Sequence, residues 1–325
     1  MSVSFKKDHG YFESSNGTSR IHYCIWTPDS PPRAIVQIVH GMCEYIERYD
    51  TFARFLVSKG IVVCGHDHIG HGKSVESEDD LGFFAPSDGD VCIVSDVEKM
   101  RLIMRERYRQ LPYFLLGHSF GSFVVRTYAF AYPADSVDAV ILSGTCGDEL
   151  PSGAGRILAS IIAALRGKRH RSKLLFKLAF GGYNKRFKSE IESSKGFAWV
   201  TTDPQELERY VSDSLCTFRF TAQAYRDMFM IISHNKKNLP HRSLPIYLFA
   251  GTEDPVGNYG QGVAQLYQTY FEAEISDVTF KLYENERHEV LTGLKKEEAF
   301  EDLYIWIDRV ANDKVELMRQ NMISF

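Results

Sequence analysis

The stretch LLGHSFGSF, residues 115–123, decides how the rest of the chain is read. PYFLLGH before the serine reads as a buried strand, and GSFVVRTYAFAY after it reads as a helix stopped by Pro133. Between them Gly117, Ser119 and Gly121 form G-x-S-x-G in a strand–turn–helix setting. A chain that doubles back this tightly forces its central residue into an unfavourable backbone region. A Cβ two residues to either side would strike the neighbouring strand or helix, so both positions require glycine. The turn also sets Ser119 at the positive end of the following helix, which favours a developing oxyanion. Ser119 is a candidate nucleophile, but a serine alone is inert; it needs a base, an orienting acid and an oxyanion site.

Outward from this turn, AIVQIVH (34–40) is a continuous β-branched run, as expected for a strand buried on both faces. IVVCGHD and VDAVILSG read as further strands. Helical spacing fills the intervals, in YDTFARFLVSKG with Gly60 as its C-cap and in residues 90–109. YFESS and IHYCIWTP form an N-terminal meander around the polar turn NGTSR. Strands alternating with amphipathic helices predict an α/β fold, a mostly parallel sheet flanked by helices.

The alternation stops near residue 144 and resumes with LPIYLFAG (244–251), YGQGVAQLYQTYF, VTFKLY and a last helix from about 295. Between lie only helix-like stretches and loops. The expected organisation is a sheet domain at 1–143 and 241–325, interrupted after the sixth strand by a helical cap at 144–240.

The remaining catalytic parts are sought at the strands' carboxyl ends, where an open α/β sheet presents its loops. Asp254 follows LPIYLFAG, and His288 in NERHEVL follows VTFKLY. The chain order Ser119, Asp254, His288 is the one α/β-hydrolases use. His288 would take the serine proton and return it to the leaving group, while Asp254 holds the imidazole tautomer. Glu253 competes with Asp254 as the acid. The backbone N–H groups of Met42, in HGMCEY, and of Phe120 are the candidate oxyanion donors. GHDHIGHGKS (65–74) offers three histidines and an aspartate, but Gly70 stands where a metallohydrolase pattern would need an aspartate. That segment is expected to be a hydrogen-bonded loop, and no metal or cofactor is expected to be required.

The chain has 325 residues, 44% hydrophobic and 25% charged, enough for a sizeable core. A net charge of −4 argues against nucleic acid as a partner. Six scattered cysteines without a CxxC pair read as free thiols in a reducing compartment. The N-terminus lacks a signal-peptide core, and ILASIIAAL (157–165) is about half the length a bilayer demands. A cytoplasmic protein, touching membranes at most peripherally, is expected. In the cap, Ile157, Leu158, Ile161, Ile162 and Leu165 make an apolar stripe directly before RGKRHRSK (166–173). That pairing would suit peripheral contact with an anionic membrane.

HGMCEYIERYD, GHDHIGHGKS, GHSFGS, GTEDPVG and ERHEVL, in this order, resemble the monoacylglycerol lipase and lysophospholipase branch of the α/β-hydrolases. The resemblance covers residues 34 to about 310 and part of the cap. It implies the α/β-hydrolase fold, the triad Ser119–Asp254–His288 and the donors Met42 and Phe120. It also implies Glu44 and Arg48 near the polar end of the substrate pocket. Cys43 departs from the pattern, occupying a position that is often small or glycine in relatives. The implied activity is hydrolysis of carboxylic esters of single-chain lipids, monoacylglycerols or lysophospholipids, through an acyl-enzyme and without a cofactor. The alternatives are a short-chain carboxylesterase or an aminopeptidase-like amidase on the same fold, and a non-catalytic receptor that keeps the fold.

Overall fold

The computed structural model describes residues 4–147 and 152–323; residues 148–151, inside the expected insertion, lie outside it. The first hairpin is β1 (Phe5–Glu13) and β2 (Arg20–Pro28). β1 begins earlier than the apolar reading of YFESS suggested, because it is an edge strand whose alternating polar residues face solvent and dilute the signal. The parallel series follows as β3 (Ala34–Val39), α1 (Asp50–Ser58), β4 (Ile61–His66), α2 (Gly89–Arg107), β5 (Tyr113–His118), α3 (Phe120–Ala131) and β6 (Ala139–Ser143). After β6 come α4 (Ser152–Arg166), α5 (Lys173–Phe180), α6 (Pro204–Ser212) and α7 (Ala222–Asn235), with no strand among the described residues there. The sheet resumes with β7 (Ile246–Gly251), α8 (Gln261–Glu272), β8 (Val278–Tyr283) and α9 (Lys296–Ile323).

The eight strands run in the order β1-β2-β4-β3-β5-β6-β7-β8. β2 pairs antiparallel with both β1 and β4, and every other pairing is parallel. β3 to β7 are buried along their whole length, which explains their mainly apolar composition. One core layer lies under α2, α3 and α7, and another under α1 and α9. This is an α/β-hydrolase fold with a helical insertion after its sixth strand. No helix among the described residues is long and apolar enough to cross a membrane.

The tightest approach in this frame is at the turn between β5 and α3. A Cβ on Gly121 would fall on the carbonyl oxygens of Val39 and His40, and one on Gly117 would meet the backbone of Gly121 and Ser122. These obstacles are main-chain atoms that no side-chain rotation can clear. Gly121→Ala should therefore lower the free energy of unfolding by about 3 kcal/mol or more, near the upper end of overpacking costs. Urea denaturation of the purified variant measures this, and wild-type stability would show that the turn can relax.

Candidate active site

Ser119 stands between the last residue of β5 and the first of α3 with φ 51° and ψ −119°, a left-handed φ rare for a residue with a side chain. The strain is held from both sides. Its N–H donates to Ser143 O at 2.9 Å, and its carbonyl accepts from Ser122 Oγ at 2.6 Å. Phe120 opens α3, so its amide is one of those a helix start leaves without an intrahelical acceptor. Met42, from the loop after β3, lines a cavity together with Ser119.

At the far ends of β7 and β8, Asp254 and His288 come together. His288 Nδ1 lies 3.0 Å from each Asp254 carboxylate oxygen, and both side chains are buried. The carboxylate only accepts, so Nδ1 carries the proton and Nε2 keeps its lone pair. Asp254 Oδ1 also accepts the Val256 N–H at 2.8 Å. Glu253 turns away and ion-pairs with Arg186 at 3.4 Å, so Asp254 is the acid that faces the imidazole. Burial alone would lower the His288 pKa; the Asp254 charge and hydrogen bond, with Glu289 and Glu44 beyond, outweigh it and raise it above 6.5. The His118 ring packs 4.7 Å from that of His288, and burial, then His288, depresses its pKa to about 3. His118 therefore stays neutral and adds no competing charge.

Glu44 and Arg48 belong to a buried charge cluster with a member the sequence did not suggest. Arg48 donates to both oxygens of Glu289 at 2.7 Å and to Glu44 Oε2 at 3.0 Å. Glu44 Oε1 accepts from the Gly41 N–H and, at 3.0 Å, from Tyr49 Oη. Glu44 thus braces the loop that presents Met42, and Glu289 braces the loop that presents His288. Burial pushes the Glu44 carboxyl up, while the doubly bonded Arg48 overrides burial and holds Glu289 down. Glu44 lines the cavity beside Ser119; Arg48 lies behind it, stacked 4.9 Å from the Tyr210 ring. Glu289 follows His288 directly, but nothing in ERHEVL points to a partner 241 residues away. Cys43, between Met42 and Glu44, has φ 56°, a backbone conformation that glycine adopts most readily.

Two chambers meet at Ser119. One, of about 240 Å³, is lined by Gly41, Glu44, Asn184, Lys195, His288 and Glu289 along with aromatic side chains. The other, of about 340 Å³, is apolar, lined by Phe120, Phe123, Leu158, Leu178, Met228 and Ile232 among others. Met42, Ser119, Phe180 and Trp199 belong to both walls. The insertion is stitched to the histidine loop, with His288 N–H reaching Trp199 O at 3.3 Å and Glu289 N–H reaching Val200 O at 2.7 Å.

The histidine-rich segment 65–74 forms a loop organised by Asp67, which accepts from Ile46 N–H and Lys73 N–H at 2.8 Å each and from His22 Nδ1 at 2.9 Å. Burial holds His66 and His71 near 4, so both stay neutral. In the insertion the apolar stripe divides. Leu158 and Ile162 pack on the core, while Ile157, Ile161 and Leu165 are exposed. Three of the cations after it have partners: Lys168 reaches Pro86 O, Arg169 pairs with Asp80, and Arg171 donates to the Asp79 and Leu81 carbonyls.

The family described as Serine aminopeptidase, S33 (Hydrolase_4) matches residues 30–294, and the chain belongs to it. The monoacylglycerol lipase of Mycolicibacterium smegmatis is 26% identical over 94% of this chain and 99% of its own. The human monoglyceride lipase is 26% identical over 90% and 89%. Among solved structures, a thermostable carboxyl esterase from Bacillus coagulans in complex with glycerol superimposes with a TM-score of 0.86 at 26% identity, covering 95% of this chain and 100% of that one.

Removing Arg48 tests the buried cluster. Arg48→Met would leave Glu44 and Glu289 facing each other without a counter-ion, at a cost of about 3–5 kcal/mol at pH 7. Glu289 has a depressed folded pKa, so its stabilisation is present above its unfolded value and is lost as pH falls through the folded one. The difference between wild type and variant should accordingly hold down to about pH 4.5 and shrink from there towards about pH 2. Urea midpoints across that range measure it, and a pH-independent gap would contradict the charge explanation.

Proposed function

We propose that this carboxylic ester hydrolase cleaves single-chain lipid esters, with monoacylglycerols preferred, by attack of Ser119 and an acyl-enzyme intermediate. The observation that carries this reading is the meeting, at the serine itself, of two largely apolar chambers, the smaller of which also carries Glu44, Asn184, Lys195 and Glu289. In the proposed cycle an acyl chain lies in the larger chamber and the ester carbonyl sits at Ser119. His288 Nε2 removes the hydroxyl proton as Oγ attacks, and Asp254 holds the imidazole and offsets its charge. The amides of Met42 and Phe120 receive the tetrahedral oxyanion; donors of this kind are worth about 3 kcal/mol each where side-chain examples have been removed. The histidine then protonates the leaving alkoxide, and water repeats the sequence to free the acid.

The smaller chamber favours a neutral glycerol over a phosphate, because Arg48 is shielded behind Glu44 and Glu289 and only Lys195 brings a cation to its wall. It also disfavours aminoacyl amides, whose ammonium would need an uncommitted acid. The oxygens of Glu44 and Glu289 are taken by Arg48, Gly41, Tyr49 and Thr292. Peripheral membrane contact belongs to the same reading. It rests on the exposed face of Ile157, Ile161 and Leu165, joined by Leu174 and Leu178 of α5, rather than on the basic run.

Two measurements test the reading. Purified enzyme should hydrolyse monoacylglycerols with kcat/KM at least ten-fold above lysophosphatidylglycerol, since a repelled or unpaired charge costs a factor of that order. Equal rates, or faster cleavage of aminoacyl amides, would contradict the substrate assignment, while Ser119→Ala should abolish turnover of every ester. The base works only when neutral, so kcat/KM should rise with pH through a midpoint above 6.5. Glu289→Gln removes a carboxylate that raises His288, so the midpoint should move down; an unmoved acid limb would separate Glu289 from the histidine.

A further inference from the structure

We propose that His9, His22, Cys24 and Glu47 bind a zinc-type divalent cation where the β1–β2 hairpin meets the turn Ile46–Tyr49. The register builds the cluster. His9 pairs directly opposite Cys24, and His22, two residues before Cys24 on β2, shares its face. Glu47 approaches from the turn, completing four donor atoms that all lie within 4.8 Å of one another.

The separations suit tetrahedral coordination. His9 Nδ1 lies 3.1 Å from His22 Nε2, and Cys24 Sγ lies 3.2 Å from the first and 3.9 Å from the second. A cation with bonds of about 2.0–2.1 Å to nitrogen and about 2.3 Å to sulfur places its donors roughly 3.3–3.6 Å apart.

Asp67 supplies an independent observation. Its buried carboxylate accepts the His22 Nδ1 proton at 2.9 Å, which fixes the tautomer and turns the Nε2 lone pair towards Cys24 and His9. A carboxylate behind a ligating histidine is the usual outer support of a zinc site. Ligation takes the Cys24 thiol as its thiolate, the proton passing to solvent as the cation binds. His9 leaves an approach path, its side chain 41% exposed. Glu47 Oε1 pairs with Lys7 at 3.1 Å and Oε2 with Lys73 at 2.5 Å, so its turn to the cation exchanges one of these exposed or half-buried ion pairs for the metal bond.

Three protein donors of mixed N and S type with a carboxylate fourth make a closed, structural site. Its consequence is mechanical. Asp67 also accepts the Ile46 N–H, so a bound ion ties the edge hairpin to the segment that leaves the Gly41–Glu44 loop.

The test uses the full chain, stripped with a chelator and titrated with Zn2+ and separately with Co2+. One equivalent of Zn2+ should bind and raise Tm, and Co2+ should give a near-ultraviolet thiolate charge-transfer band. Cys24→Ser should abolish that band. His9→Gln, at the exposed edge and so the variant least disruptive to folding, should weaken Zn2+ binding at least ten-fold while leaving metal-free esterase activity unchanged. No saturable Zn2+ binding, a Co2+ spectrum without the thiolate band, or wild-type affinity in His9→Gln would each overturn the proposal.

Discussion

The backbone of α3 lies directly on the loop after β3, and that contact governs the geometry around the serine. Gly121 admits the Val39 and His40 carbonyls where any side chain would intrude. The contact forces Ser119 into a left-handed φ and exposes its hydroxyl at the top of the sheet. It also brings the first amide of α3 beside the Met42 loop, so one steric constraint serves both the nucleophile and the proposed oxyanion donors.

Buried charge then ties the loops of Met42 and His288 together beside this turn. Arg48 lies between two carboxylates, one bonded to the loop of Met42 and the other adjacent to His288. Ion pairs of this kind add little net stability compared with apolar packing, but losing one partner is costly. Their value here is positional: two loops from opposite ends of the chain share one cation. Neutral His118 fills the space against His288 without disturbing the charge that Asp254 offsets.

Much of this was legible in the residues because local rules coincide at the site. The two glycines around Ser119 have one steric explanation, Asp254 follows the unbroken apolar run of β7, and His288 follows the alternating strand β8. β1 was less legible since an edge strand alternates with solvent-facing polar residues. The chambers were not legible at all. Their walls come from α4, α5 and α7, and the periodicity of a helix tells which face is apolar but not what it covers. Glu289 and the His9–His22–Cys24 cluster were hidden for the same reason, as each depends on pairing between distant segments. Three cations of the basic run were illegible in the same way: Lys168, Arg169 and Arg171 reach carbonyls and Asp80 on a distant segment.

The most direct test of the proposed chemistry is a crystal structure of the enzyme inactivated by a long-chain alkyl phosphonate, a mimic of the tetrahedral intermediate. Phosphorus should be bonded to Ser119 Oγ, with its free oxygen within hydrogen-bond distance of the Met42 and Phe120 amides. His288 Nε2 should face the leaving-group side, and the alkyl chain should run between Leu158 and Met228. Phosphorus on another residue, or a phosphoryl oxygen turned away from both amides, would contradict the proposed mechanism.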